Sequence, residues 1–273
     1  MGLLLVYHKE DVRMSGESLK HGDFTSLAAN YALYRPGYSS FVLDAFLALQ
    51  GKTPGELHVA DVGAGTGIWS RALAERGVRV TAVEPNEAMR EAGIRQTGSL
   101  PIVWRQGSAE DTGLPASQFD AVCMASSFHW PEFDLAVKEF HRILQPKGVF
   151  MALWNPRYYE SNPLLVDIED TLHSMVPHLK PISSRRSEFC AGLLERLLQR
   201  AEFSDVLYLE GRHVERQTQE RYIGLWQSVN DVQVQAGEEV FARFISAVRD
   251  KIAASPYIEA EYLTKAWLAR RAA

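Results

Sequence analysis

The spacing of apolar positions changes several times along the chain, and each change marks an element. Phe41, Val42, Ala45, Phe46 and Leu49 recur at helical intervals, and Gly51, Pro54 and Gly55 end that run. Short apolar runs then alternate with amphipathic stretches. Strands are predicted over 57–62, 78–83, 102–105, 119–125 and 149–154. Helices are predicted over 68–76 and 87–95, and a third carries Phe133, Val137, Phe140 and Leu144 on one face. Pro146, Lys147 and Gly148 supply the turn into 149–154. Apolar runs separated by helices are the pattern of a parallel sheet covered on both faces. The last third has a different texture. Helices are predicted over 164–175, 188–199, 219–229 and 238–252, and strands at 206–209 and 262–267. They read as helical decoration around the last strands of the same sheet. Residues 1–22 lack a sustained period and read as a flexible leader.

At 273 residues the chain is long enough for one large α/β domain, or one domain and a modest cap. With 46% apolar and 23% charged residues it can build a core, which excludes disordered and fibrous classes. Lys and Arg total 29 against 34 Asp and Glu, so the composition offers no cation surplus for nucleic acid. Two cysteines cannot form a disulfide framework, and Cys123 falls inside a predicted strand as a small core residue. The apolar run 3–6 is too short for a signal-peptide core, and no stretch is long enough for a membrane span. A cytoplasmic protein without membrane partners is expected. His8, His21, His173 and His178 are scattered, so no metal site is expected.

The candidate chemistry sits at 58–69, where a strand ends at Asp61 and Val62 and Gly63, Gly65 and Gly67 follow before a helix. Glycine permits turns closed to other residues and lets a ligand approach the backbone. Glu84 ends the second strand about 20 residues further on, placed for ribose hydroxyls. Dinucleotide folds space their glycines differently, and Asp61 would repel a pyrophosphate. An acid there suits a nucleoside bearing an amino group and a sulfonium, S-adenosylmethionine. After the third strand, Gly107, Ser108, Ala109 and Glu110 offer a backbone N–H and small polar groups for an adenine edge.

These residues resemble the class I S-adenosylmethionine-dependent methyltransferases, and within them the small-molecule subgroup (type 11) that includes trans-aconitate methyltransferase. The likeness is carried by the segment 31–38 (Tyr31 to Tyr38), the glycine loop, Val83, Glu84 and Pro85, residues 107–110, and Phe128, His129 and Trp130; a weaker match spans 221–226. It implies a Rossmann-like seven-stranded, mostly parallel sheet with a final antiparallel strand at 262–267, helices on both faces, and cap helices about 155–200 and 217–256 within a domain over 23–273. It further implies that Gly63, Gly65 and Gly67 line the methionine portion, with Asp61 near its ammonium. Glu84 would hold the ribose, Met89 would pack near the adenine, Ser108 and Ala109 would meet its edge, and Ala125 would lie under the methionine tail. Many relatives carry Asp where Ser108 stands, so Glu110 is expected to share that role.

The expected reaction is transfer of the methyl group to an O, N or C nucleophile of a small-molecule acceptor, by a monomer or homodimer. The alternative is a non-catalytic, regulatory subunit that binds the same cofactor. Aromatic residues near the strand ends, Tyr31, Tyr34, Trp130, Trp154 and Trp226, are candidate acceptor walls, and each has a core role as its alternative. His129 is the candidate general base, or else an orienting group. Arg35 is a candidate grip for an acidic or polar acceptor, with Arg157 and Arg221 in the predicted cap; its alternative is to cap the leader or meet the cofactor. Asn155 and Pro156 follow the fifth strand rather than the fourth and read as a turn.

Overall fold

The computed structural model describes residues 28–180 and 188–273, so the predicted leader lies outside the described residues. In chain order its elements are α1 (Ala28–Tyr34), α2 (Ser40–Leu49), β1 (His58–Val62), α3 (Ile68–Glu75), β2 (Arg79–Val83), α4 (Glu87–Thr97), β3 (Ile102–Arg105), β4 (Phe119–Ala125), α5 (Phe133–Ile143), β5 (Leu144–Trp154), α6 (Pro163–Met175), α7 (Glu188–Leu198), β6 (Phe203–Gln217), α8 (Gln219–Gln227), α9 (Asn230–Ile252) and β7 (Ile258–Arg271).

One seven-stranded sheet has the order β3-β2-β1-β4-β5-β7-β6. The first five strands run parallel, and β7 is antiparallel to both β5 and β6. The chain steps outward from β1 through β2 to β3, then resumes on the other side of β1 with β4. That reversal opens a crevice at the carboxyl ends of β1 and β4, where Asp61 lies opposite Ala82 on one side and Cys123 on the other.

Each face of the sheet is covered. On one, Phe140 of α5 stacks on Phe150 at 5.0 Å, and Leu193 and Leu197 of α7 join that core. Thus α7, expected in the cap, packs on the sheet instead, because its apolar stripe meets the β5 and β6 side. On the other face Val42 and Phe46 of α2 pack with Trp69 and Leu73 of α3. Within α2, Phe41 and Leu49 are exposed, so the buried stripe is rotated to Val42, Leu43, Phe46 and Leu47. A third core joins α6, α8 and α9 to Ile258, Ala260 and Tyr262 of β7.

Several boundaries differ from the sequence reading. Leu144 pairs with Phe119 as the first residue of β5 rather than ending α5, and the expected turn is an irregularity inside that strand, with Lys147 at φ 67°. β6 and β7 extend well beyond 206–209 and 262–267. Gly237 (φ 73°, ψ 164°) interrupts α9 immediately before the predicted start at 238. No described helix is long and apolar enough to cross a membrane.

Candidate active site

A cavity of about 370 Å³ opens at the crevice. Its floor is the loop from β1 to α3. Gly63 and Gly65 take φ of 65° and 58° and line it. A Cβ on Gly63 would stand 2.8 Å from Ser127 Oγ, so the close approach of this loop to the end of β4 requires glycine. Gly67 is a correction: at φ 79° it heads α3 and faces Trp104, outside the lining.

Glu84 leaves β2 almost buried and takes two backbone N–H groups, Gly65 N on Oε2 and Asn86 N on Oε1, each at 2.8 Å. Burial raises its pKa, and the two amides oppose that shift. It therefore ties the glycine loop to the head of α4 while its edge faces the cavity. Asp61 lies behind the loop, wholly buried and outside the lining. Its Oδ2 accepts from Ser70 Oγ at 2.5 Å, and its Oδ1 has no hydrogen-bond partner among the described residues. Burial pushes its pKa up to about 7, with Ser70 opposing and Glu84 adding.

Met89 of α4 forms one wall, and Ser108, Ala109 and Glu110 form the next. Glu110 accepts from Glu132 N at 2.8 Å, and its pKa is lowered: burial, the largest influence, raises it but is outweighed by hydrogen bonds from Glu132, from Ser108 and from its own backbone. Ala125 closes the far side, and Tyr31 of α1 and the exposed Trp130 stand at the cavity. The structure thus brings Tyr31, Gly63, Gly65, Glu84, Met89, Ser108, Ala109, Glu110, Ala125 and Trp130 around one space.

Five other candidates lie elsewhere. Trp154 is buried in the sheet core against Trp267 at 5.5 Å. Trp226 is buried against Phe244 at 4.9 Å, in the core of α6, α8 and α9. Tyr34 presses its ring on the backbone of Gly224 in α8 and borders a separate cleft. Arg35 donates from Nη2 to Ser228 O at 3.0 Å and lies over the Tyr31 ring at 4.6 Å, so it fastens α1 to the turn between α8 and α9. His129 is outside the lining, and its Nδ1 accepts from Trp154 Nε1 at 3.4 Å. An indole only donates, so in this bond Nδ1 is the acceptor and its lone pair is engaged. The ring is thereby set against Trp154, next to the cavity-lining Trp130 but outside the lining itself. Arg157 and Arg221 are likewise paired, with Glu169 at 2.5 Å and Glu215 at 3.0 Å. Asn155 joins Gly37 O to Thr264 Oγ1 as a structural link.

The lining also includes Tyr38, Asn86, Met124, Ser126 and Ser127, which the sequence reading did not single out. Ser126 and Ser127 directly follow a predicted strand, at the end where a parallel sheet binds ligands, and that position was the available signal.

Comparison with known proteins agrees with this architecture. Residues 60–152 match the methyltransferase domain family. An uncharacterized methyltransferase of Mycobacterium tuberculosis is 34% identical over 137 residues, 49% of this chain and 52% of that protein. A ubiquinone biosynthesis O-methyltransferase of Pseudomonas paraeruginosa is 36% identical over 125 residues, 43% of this chain and 51% of that protein. The chain spans about half the length of the curated relatives it matches. Among solved structures, one from Anaeromyxobacter dehalogenans described as a type II methyltransferase superposes with a TM-score of 0.63 at 24% identity, covering 87% of this chain and 98% of that one. The phosphoethanolamine N-methyltransferase 2 of Haemonchus contortus, in complex with S-adenosyl-L-methionine, gives a TM-score of 0.52 at 14% identity, over 92% of this chain and 58% of that one. Residues 60–152 thus carry the likeness to the methyltransferase domain family, within a sheet whose strand order and crevice at the β1–β4 reversal are those of the Rossmann-like fold that the solved structures share.

Proposed function

We propose that the chain transfers the methyl group of S-adenosylmethionine to an O, N or C nucleophile of a small-molecule acceptor, as one domain over 23–273 with α6, α8 and α9 as its cap. The observation that carries the reading is electrostatic: Asp61, buried with an unpartnered Oδ1, stands directly behind the glycine loop. A carboxylate left so incomplete suits an ammonium group, received directly or through water, and the fit supports this cofactor. Gly63 and Gly65 would line its methionine portion, Glu84 would meet the ribose, and Met89, Ser108, Ala109 and Glu110 would surround the adenine. Ala125 would lie beneath the methionine tail.

When bound, the cofactor supplies a methyl group already activated by the sulfonium charge. The chain's own work is then to align and to exclude water. Tyr31 and Trp130 supply apolar surface at the cavity mouth, Arg35 holds Tyr31 from behind, and Trp154 orients His129. Relatives named for carbon and oxygen methylation in ubiquinone biosynthesis support a small-molecule acceptor.

Two measurements test the reading. Glu84→Ala removes a charged hydrogen-bonding group worth roughly 1.5–3 kcal/mol per bond, so affinity for S-adenosylmethionine falls about tenfold or more by calorimetry. Unchanged affinity would reject the assigned role of Glu84. Incubation of the protein with a cell extract and methyl-labelled cofactor places label in the small-molecule fraction. Label confined to nucleic acid or protein would reject the acceptor class.

A further inference from the structure

The corner at Gly37, Tyr38 and Ser39, between α1 and α2, is held from several directions. Gly37 N donates to Glu215 Oε1 at 3.3 Å, and Gly37 O accepts from Asn155 Nδ2 at 2.7 Å and from His213 Nε2 at 3.1 Å. Ser39 N donates to Thr264 Oγ1 at 2.8 Å. These bonds reach the end of β5, the strand β6 and the strand β7. Of the three residues they fix, Tyr38 alone lines the cavity. Its ring is further set edge-on against the buried Trp69, with centroids 5.4 Å apart at 80°. The phenol Oη then lies 3.0 Å from Ser126 Oγ.

Ser126 is held just as firmly. It follows the last residue of β4 and takes φ 58°, in the left-handed region that side chains other than glycine rarely adopt. Ser117, Lys147 and Asp205 share that conformation, but none of them lines the cavity. Ser126 N donates to Leu153 O at 2.7 Å, which keeps the residue in register with β5 while its side chain faces the cavity. A sparsely populated backbone conformation persists where the surroundings over-determine it, and such positions concentrate at ligand sites.

We infer that Tyr38 and Ser126 form a paired hydroxyl that receives the methyl acceptor, and that the acceptor presents to it an uncharged hydroxyl or carbonyl oxygen rather than a carboxylate. The inference rests on the methyl-transfer reading above. Whichever oxygen donates within the pair, one O–H proton is used there and the other remains to be given to a ligand oxygen. Burial pushes the Tyr38 phenol far above its usual range, so it stays protonated and acts as a hydrogen-bonding group, not a base. The titratable groups lining the cavity among the described residues are Glu84, Glu110, Tyr31 and Tyr38. Two hydroxyls compensate the desolvation of a neutral oxygen but not of a full negative charge. With Tyr38 donating, Ser126 gives its proton to the acceptor and Tyr38 positions it; with Ser126 donating, Tyr38 meets the acceptor and Ser126 positions it.

The test uses the full chain, S-adenosylmethionine labelled in its methyl group, and matched sets of small phenols, benzyl alcohols and benzoates. Wild-type protein is expected to methylate or bind members of the neutral sets, the proton displaced from a methylated hydroxyl passing to solvent, and to leave the benzoates. Tyr38→Phe keeps the ring on Trp69, and Ser126→Gly removes the hydroxyl while accepting the left-handed backbone. Both are expected to raise the acceptor KM about tenfold, the cost of one lost neutral hydrogen bond at a closed site, a larger factor than either changes kcat or cofactor affinity. Unchanged KM in both variants with cofactor binding intact overturns the paired-hydroxyl role alone. Preference for benzoates, or no use of any neutral member, overturns the acceptor class. Absence of S-adenosylmethionine binding by wild-type protein overturns the methyl-transfer reading and this inference with it.

Discussion

The sheet half and the cap both bury charged groups, but they complete them in opposite ways. In the cap, Arg157 meets Glu169 at 2.5 Å, receives support from Tyr222 Oη at 3.0 Å and lies over the Trp226 ring at 4.5 Å. Cation and anion answer each other inside one core. At the crevice, the carboxylates of Asp61 and Glu84 take hydrogen bonds from neutral donors, Ser70 and two backbone amides; Arg90 reaches only the main-chain oxygen of Glu84, at 3.0 Å, and burial still leaves both carboxyls with raised pKa values. Charge balanced within the chain marks architecture here; at Asp61, Oδ1 meets no partner among the described residues, and that gap underlies the ammonium role proposed above. The contrast also explains why Trp226 and Arg157, both plausible site residues by type, are structural.

The largest expected effect breaks the balanced pair. Glu169→Ala leaves a buried guanidinium without its counter-charge and should destabilise the fold by about 3–5 kcal/mol in denaturant unfolding. The double variant Arg157→Met with Glu169→Leu should recover most of that loss. If the single variant is as stable as wild type, the pair does not organise the cap.

The unbalanced side is sharpened by pH. Burial pushes the Asp61 carboxyl up to about 7 from its usual 3.8, so between those values the folded chain holds a proton that the unfolded chain has released. Stability therefore falls as pH rises through that window, by up to about 4 kcal/mol for three units at roughly 1.4 kcal/mol each. Asp61→Asn should remove this component, seen as a smaller difference between urea midpoints at pH 4.5 and pH 8. An ammonium placed beside Oδ1 would favour the carboxylate, so cofactor binding near pH 6.5 should release protons from wild type and fewer from Asp61→Asn. Calorimetry in buffers of different ionisation enthalpy reads this directly, and equal proton release by both proteins would remove Asp61 from the site.

A smaller effect tests how the two regions are joined. Helix α1 packs on α4 through Ala28, Met89 and Ala92, and on α8 where Tyr34 covers Gly224. A Cβ at Gly224 would meet the Tyr34 ring at 2.3 Å. Gly224→Ala should cost about 1–3 kcal/mol in stability, as overpacking does. It should also weaken cofactor binding, because α1 brings Tyr31 to the cavity. Loss of stability with unchanged binding would show that the cap and the crevice are independent.

The legibility of the sequence follows the same division. The glycine loop and Glu84 were readable because a parallel strand ending in a tight turn leaves a local signature, and the backbone of that turn lines the cavity. Tyr38 and Ser126 were not singled out, because their meeting depends on bonds from the 37–39 corner to β5, β6 and β7, which no local pattern encodes. The same limit hid the role of Arg35, whose partner Ser228 lies 193 residues away. β7 did carry a two-residue alternation, with Ile258, Ala260, Tyr262, Thr264, Ala266 and Leu268 all buried. β6 carried a weak one, since most of its 15 residues are exposed or half-buried.

The position of β7 between β5 and β6 has a consequence for the order of assembly. During synthesis β6 emerges before α8 and α9, yet its described pairing is with β7 alone. It stays an unpaired ribbon until the chain has passed through both helices and returned. Only then can β7 dock on β5 and recruit β6 from its other edge. Closure of that loop of chain is entropically costly and slow compared with local helix formation. The parallel strands β1–β5 can assemble earlier, so the edge carrying His213 and Glu215, whose bonds to Gly37 support the Tyr38 corner, is the last part of the sheet to form.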